Sequence, residues 1–125
     1  MQTLLKEADI ITLHLPLTKE TFHLIGKEEF ALMKENAVLI NTSRGAVIDE
    51  KELIKALSEK RIFSAGLDVY ENEPDIPQEL LALENVVLLP HIGSASIETR
   101  TKMALLAAEN AIAVMEGRKP PAQVN

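Results

Sequence analysis

Residues 37–50 of the chain read AVLINTSRGAVIDE. The apolar run at 37–41 is typical of a strand that is buried on both faces of a parallel sheet. The polar residues at 42–45 indicate a turn. Asp49 then predicts the N-cap of a helix that runs to about Lys60, because a glutamate three residues later approximates a capping box. A strand followed by a turn and a helix begins a β–α–β unit, so this stretch predicts an α/β fold.

The same alternation of strand and helix continues through the rest of the chain. Further strands are predicted at 9–15, 62–69 and 86–89, and further helices at 27–34 and 95–116. In such a parallel sheet the crossovers are right-handed, and the ligand crevice lies beyond the carboxyl ends of the strands. The predicted architecture is a doubly wound parallel sheet with a long C-terminal helix. The apolar stripe of that helix, which is predicted to face inward, consists of Met103, Leu106, Ala107, Ala111 and Val114.

Composition narrows the class of protein. The 125 residues are 46% hydrophobic and 26% charged, which is typical of one globular domain. No apolar run approaches the roughly 20 residues of a membrane helix, and no signal peptide opens the chain. The net charge of −6 disfavours nucleic-acid and membrane surfaces, and the lack of cysteine excludes thiol chemistry. We therefore expect a cytoplasmic protein, and its many glutamates and lysines favour a thermophilic source.

Three chemically distinctive side chains follow three different predicted strands. Arg44 either caps the sheet through a salt bridge or holds a carboxylate with its guanidinium fork. Glu73 is either a solvated surface carboxylate or the partner of an imidazole. His91 is either structural or catalytic. Because the carboxyl ends of parallel strands share one edge, their joint placement favours function: a glutamate bonded to a histidine makes a general acid near neutral pH.

The two other histidines are assigned no catalytic role. His14 is expected to pack as a core or wall residue near the crevice, and His23 is expected to be solvated in a loop. Three histidines without local ligand spacing argue against a metal site.

Three blocks of sequence resemble the signature motifs of the D-isomer-specific 2-hydroxyacid dehydrogenases. They are NTSRG at 41–45, DVYENEP at 68–74 and PHIG at 90–93, and HLPLT at 14–18 resembles the block that precedes them. The resemblance covers nearly the whole chain. Within the family, the chain is most similar to glyoxylate and hydroxypyruvate reductases, with phosphoglycerate dehydrogenase next. The resemblance implies an oxidoreductase that uses NAD or NADP to reduce a 2-ketoacid such as glyoxylate or hydroxypyruvate, and that forms a homo-oligomer.

The resemblance also implies a role for each matching residue. Arg44 would bind the substrate carboxylate, His91 would give a proton to the carbonyl oxygen, and Glu73 would pair with His91. A carboxylate at position 73 speaks against formate dehydrogenases, which usually carry an amide there. The residues placed near the cofactor are Thr42, Ser43, Arg44, Asp68, His91, Ile92 and Gly93.

Two features of the family's cofactor domain are missing from this sequence. There is no Gly-x-Gly-x-x-Gly turn, and the residue that selects NAD over NADP, which would follow it, is missing too. We therefore expect the second half of a Rossmann-like sheet, with 1–117 as the C-terminal part of an NAD(P)-binding domain and 118–125 as a tail towards a substrate domain.

This expectation leaves two readings open. In the first, the chain carries the catalytic residues of the enzyme. In the second, it is a non-catalytic truncated fragment that only self-associates, because the strand at 9–15 would be an unprotected apolar edge.

Overall fold

The computed structural model describes residues 1–124, which form two compact units: Met1–His91 and a second unit that begins at Ile92. This division falls inside the range 1–117 that the sequence assigns to one domain. Of the predicted tail at 118–125, Asn125 lies outside the described residues. The elements are α1 (Gln2–Glu7), β1 (Ile10–Leu13), α2 (Lys27–Leu32), β2 (Val38–Asn41), α3 (Glu50–Ser58), β3 (Ser64–Leu67), α4 (Gln78–Leu81), β4 (Val86–Leu88) and α5 (Ile97–Met115), with a 3₁₀ turn at Gly45–Val47.

The four strands form one parallel sheet in the order β1-β2-β3-β4. This confirms the predicted α/β fold with a parallel sheet, and it places β1 at an edge. The strands are shorter than the predicted ranges 9–15 and 62–69. For β1 the reason is its partner: Leu13 pairs with Asn41, and the chain turns away directly after Asn41, so no strand remains for residues 14 and 15 to pair with.

One face of the sheet forms the core of the first unit. Leu39 and Leu67 from the sheet are buried with Phe30 of α2 and Leu57 of α3. The prediction that the run at 37–41 is buried on both faces is wrong, because the alternate residues Val38 and Ile40 are only half-buried. An apolar run makes both faces suitable for packing, but burial also needs a covering element. On that second face Ile10 is 66% exposed and Val87 is 64% exposed.

The helix α3 begins as the sequence predicts. The side chain of Asp49 accepts hydrogen bonds from the backbone N–H groups of Lys51 and Glu52, at 3.1 and 3.2 Å. The helix ends at Ser58 rather than at Lys60, because Lys60 adopts a left-handed backbone with φ of 55°. No pattern in the sequence predicts α1. Only Leu5 of its six residues is buried, so the helix lacks an apolar period.

In the second unit, α5 begins at an N-cap in which the Ser96 hydroxyl accepts a hydrogen bond from the Thr99 N–H at 3.1 Å. The inward stripe predicted for this helix is wrong: Met103, Leu106, Ala107, Ala111 and Val114 are all exposed, and Ala113 is the buried residue of α5. Apolar spacing marks a face that can pack, but it does not supply the surface that covers it. No helix within residues 1–124 has the length and apolar character needed to cross a membrane.

Candidate active site

The loop that presents Arg44 is shaped by a buried amide. Asn41, the last residue of β2, is 1% exposed, and its Oδ1 accepts hydrogen bonds from the N–H and the hydroxyl of Ser43, at 3.0 and 2.9 Å. Its Nδ2 donates to the carbonyl oxygen of Arg44 at 3.0 Å. These three bonds satisfy the buried amide and hold a tight turn, so that Arg44 follows directly at the carboxyl end of the sheet.

The side chain of Arg44 is exposed, and its Nη1 donates to the carbonyl oxygen of Ser43 at 2.6 Å. Within the described part of the chain, Arg44 forms no ion pair with a carboxylate. The alternative in which this arginine caps the sheet through a salt bridge is therefore not what the structure shows. The guanidinium carries further N–H donors besides the one that bonds to Ser43.

Glu73 and His91 form a hydrogen-bonded pair. Nδ1 of His91 lies 2.6 Å from Oε2 of Glu73, and Oε1 of Glu73 accepts the Tyr70 N–H at 3.0 Å. The bond to His91 holds the pKa of the Glu73 carboxyl below its ordinary value. His91 follows Pro90 and adopts a left-handed backbone with φ of 54°, which is uncommon for a non-glycine residue. With Nδ1 engaged by Glu73, Nε2 is the nitrogen available to another group.

The loop that carries Glu73 is tied to the neighbouring strand ends. The N–H of Asp68 donates to the carbonyl oxygen of Asn41 at 3.0 Å. The hydroxyl of Tyr70 donates to the carbonyl oxygen of Leu89 at 2.8 Å. Asp68 is 3% exposed. Burial raises the pKa of the Tyr70 hydroxyl, and the nearby Asp68 charge adds to the effect. A small cavity of about 160 Å³ adjoins the pair and is lined by Tyr70, Glu73, Pro74, Ile76, Pro90 and His91.

The structure thus brings two of the three predicted catalytic residues into contact, whereas among the described residues no hydrogen bond or ion pair joins Arg44 to either of them. Residues 1–93 match the family described as D-isomer specific 2-hydroxyacid dehydrogenase, NAD binding domain. The chain belongs to this family. The match ends two residues after His91 and therefore contains every residue of the candidate active site.

Individual proteins resemble the chain along most or nearly all of its length. The chain is 61% identical over 124 residues to the glyoxylate reductase of Thermococcus litoralis. The aligned segment covers 99% of this chain and 38% of that protein. The crystal structure of the TT0316 protein from Thermus thermophilus superposes with a TM-score of 0.94 at 50% identity, over 99% of this chain and 40% of the other.

A third comparison comes from a structure with bound molecules. The NADPH-dependent glyoxylate/hydroxypyruvate reductase of Sinorhizobium meliloti, in complex with NADP and malonate, superposes with a TM-score of 0.87 at 38% identity, over 90% of this chain and 35% of the other. The chain therefore spans somewhat more than a third of the length of the relatives that it matches.

The residues that the sequence places near a dehydrogenase cofactor are distributed over both units. Thr42 is exposed and Ser43 is buried in the turn after β2. Ile92 and Gly93 open the second unit, where the carbonyl oxygen of Ile92 accepts the Ala95 N–H at 2.9 Å. Residues 1–124 contain no group of three His, Asp or Glu side chains that could hold a metal ion.

Both expectations for the remaining histidines are wrong. His14 does not pack as a core or wall residue: it is exposed, and its Nε2 lies 2.9 Å from Oγ1 of Thr12. His23 is half-buried rather than solvated, with Nε2 at 3.0 Å from Oε1 of Glu71 and Nδ1 at 3.6 Å from Oδ2 of Asp49. These partners lie 26 and 48 residues further along the chain, so no local spacing could have indicated them.

Proposed function

We propose that this chain carries the acid–base and carboxylate-binding residues of an NAD(P)-dependent reductase of 2-ketoacids such as glyoxylate or hydroxypyruvate. The observation that carries the proposal is the 2.6 Å contact between Nδ1 of His91 and Oε2 of Glu73. The family's description and the 61% identity to a glyoxylate reductase support this reaction and substrate class.

In the proposed reaction, His91 handles the proton. The imidazolium gives the proton on Nε2 to the carbonyl oxygen of the ketoacid, and the carboxylate of Glu73 stabilises the charged ring through Nδ1–H. The bond from Tyr70 N–H fixes the second carboxylate oxygen, so the pair is oriented before substrate arrives. A positioned general acid of this kind typically contributes about 10²–10⁴-fold to the rate.

Arg44 binds the substrate's carboxylate in this proposal. Its guanidinium is planar and offers parallel donors that match a carboxylate, which a lysine ammonium cannot do. The turn built on Asn41 supports this role, because it presents Arg44 at the same sheet edge from which the loop of Glu73 departs.

The residues present fit part of a nicotinamide dinucleotide site. Thr42, Ser43 and Asp68 follow the carboxyl ends of adjacent parallel strands, which is where such sheets bind nucleotides. When bound, the dinucleotide supplies the hydride. The residues proposed to hold it are Thr42, Ser43, Arg44, Asp68, His91, Ile92 and Gly93. The choice between NAD and NADP stays open, because the family is described as NAD-binding and the Sinorhizobium relative holds NADP. We further propose a cytoplasmic homo-oligomer, with a ketoacid as its partner molecule.

A chimera tests the proposal. Residues 1–124 replace the matching segment of the Thermococcus litoralis glyoxylate reductase, and oxidation of NADH and NADPH is followed with glyoxylate and with hydroxypyruvate. We expect turnover, and we expect His91→Ala to lower kcat by about 10²-fold or more while the Kd of the dinucleotide changes far less. Glu28→Ala removes an exposed charge on α2 and serves as the control.

The outcomes separate the alternatives. An active chimera in which His91→Ala keeps the parent kcat removes the proton-donor role. A folded chimera that binds dinucleotide but reduces neither ketoacid contradicts the proposed reaction. The 125-residue chain is assayed alone in parallel. Turnover there shows that these residues suffice, whereas an inactive chain beside an active chimera fits a module that needs further polypeptide.

A further inference from the structure

A second cluster of charged side chains includes Glu71, which is two residues before Glu73. Glu50 is the first residue of α3 and is 7% exposed. Its Oε1 accepts the Glu71 N–H at 3.2 Å, and Oε2 of Glu71 accepts the Glu50 N–H at 3.4 Å. The two residues are therefore linked twice, each through its own carboxylate and the other's backbone. We call this reciprocal link the Glu50–Glu71 clasp.

His23 extends the clasp to a third segment of the chain. Its Nε2 lies 3.0 Å from Oε1 of Glu71, and its backbone N–H donates to the carbonyl oxygen of Ala46 at 2.8 Å. The loop after β1, the N-terminus of α3 and the loop after β3 are thus held together at one point.

Electrostatics make the clasp unfavourable as a purely stabilising device. Burial raises the pKa of the Glu50 carboxyl. The hydrogen bond from the Glu71 N–H opposes this shift, and the negative charge of the Glu71 carboxylate adds to it. A buried carboxylate beside a second one lowers stability, and a neutral side chain of the same shape would not carry this penalty. We therefore consider which groups the Glu50–Glu71 clasp holds in place.

The clasp fixes the backbone that orients Glu73. The amides of Tyr70 and Glu71 are consecutive: the first donates to Oε1 of Glu73 at 3.0 Å, and the second donates to Glu50. A shift of the Glu71 N–H would rotate the backbone at Tyr70 and move the donor that holds Glu73. The other oxygen of Glu73 is the one bonded to His91.

We propose that Glu50 is a positioning residue for the Glu73–His91 pair, acting through the Glu71 N–H and the adjacent Tyr70 N–H. The catalytic meaning of this role rests on the proposed function, because the pair performs proton transfer only in that reaction. The effect of Glu50 on the position of Glu73 is a property of this chain alone, and it can be measured without turnover.

The test is a carboxyl titration of the full chain by NMR, with ¹³C-labelled glutamate and Glu73 assigned by its loss in Glu73→Gln. In the parent chain the pKa of Glu73 lies below its ordinary value because of the bond to His91. Glu50→Asp keeps the charge but withdraws the acceptor by one methylene, and Glu50→Ala removes it. We expect both to raise the pKa of Glu73 towards its ordinary value and to shift the Tyr70 amide resonance.

Two further variants control for the negative charge of Glu50 and for the loss of a carboxylate elsewhere in the first turn of α3. Glu50→Gln retains an acceptor oxygen of the same reach, so we expect it to preserve the pKa of Glu73 and the Tyr70 amide shift. Glu52→Ala removes a carboxylate from the same turn of α3 that does not bond to the loop after β3, and we expect no change. If Glu50→Ala does not fold, Glu50→Asp decides.

The proposal is overturned if folded Glu50→Asp titrates Glu73 as the parent does, or if Glu50→Gln loses the lowered pKa to the same extent as Glu50→Asp. In the chimera, we expect Glu50→Asp to lower kcat by roughly 10- to 100-fold with the KM for ketoacid unchanged, as misplacement of a proton donor does. If His91→Ala keeps the parent kcat while the Glu50 variants titrate as expected, the proposed reaction is rejected and the positioning role of Glu50 is retained.

Discussion

Gly45 packs directly against the main chain of Tyr70. A β-carbon on Gly45 would lie 1.9 Å from the carbonyl carbon of Tyr70 and 2.0 Å from its oxygen, and 2.5 Å from the nitrogen of Glu71. The loop that carries Arg44 and the loop that carries Glu73 therefore meet through backbone atoms, with no side chain between them. Only glycine permits this approach, because backbone atoms cannot rotate away as a side chain can.

The first prediction concerns this contact. Gly45→Ala should destabilise the chain by about 1–3 kcal/mol or more, since the added carbon must displace one loop from the other. Urea unfolding measures the effect. Gly66→Ala in β3 is the matched control, because its nearest neighbour would be Cγ1 of Ile40 at 4.0 Å, which is ordinary contact. Equal stabilities of the two variants would contradict the close packing at Gly45.

The second prediction separates the contribution of the bidentate guanidinium geometry of Arg44 from the contribution of its positive charge. In the chimera, Arg44→Ala should raise the KM for ketoacid by roughly 10- to 150-fold, equivalent to about 1.5–3 kcal/mol for a hydrogen bond to a charged group. Arg44→Lys should recover only part of this, because an ammonium cannot bind a carboxylate bidentately. Arg118→Ala, which removes an exposed arginine paired with Glu116, should leave KM unchanged. A KM for Arg44→Ala equal to that of the parent would remove the carboxylate-binding role.

The third prediction is a pH dependence of stability. The pKa of Glu50 is raised in the folded chain, so folding favours its protonated form and the charged form lowers stability. This loss is absent below the ordinary pKa of 4.5, grows as pH rises towards the raised pKa and is complete above it. Glu50→Gln should therefore be more stable than the parent at neutral pH.

Urea unfolding from below pH 4.5 to mildly basic pH checks this, and the gap between Glu50→Gln and the parent should close as the pH falls. Glu52→Gln controls for the loss of a negative charge near the N-terminus of α3, which by itself costs about 0.3–1 kcal/mol. A gap that is constant with pH would show that Glu50 does not titrate with folding.

The fourth prediction concerns the open edge of β1. Its outer backbone groups have no strand partner in the described residues, and Ile10 is 66% exposed beside them. Such an edge pairs readily with another chain, so we expect the sedimentation coefficient to rise with concentration. Ile10→Lys should weaken this association, whereas Glu28→Lys on α2 should not. A clean monomer at the highest concentration would exclude edge pairing.

Sequence patterns predicted those features that depend on local chemistry. The run before Asn41 marks a strand, Asp49 marks a helix start, and both are found in the structure. The ends of the strands were predicted less accurately, because a strand ends where its partner strand ends. The pairing of β1 with β2, for example, ends at Leu13 and Asn41. Burial of Val38 and of the stripe on α5 could not be inferred, because periodicity does not reveal whether a covering surface is present.

The same distinction applies to the site. Arg44, Glu73 and His91 stand out because each is a chemically distinctive side chain in the polar segment that follows a predicted strand. The clasp could not be foreseen, because Glu50 and Glu71 read as ordinary surface glutamates and His23 as a loop residue. Their contacts span 21 to 48 residues and depend on how the crossovers pack.

The order of strands in space is the same as their order along the chain. Each strand from β2 to β4 thus pairs with the strand that precedes it in this chain. Glu73 precedes β4 along the chain, and His91 follows it. The contact between the imidazole and the carboxylate therefore bridges the two ends of β4, so its appearance during refolding would report that β4 has joined the sheet.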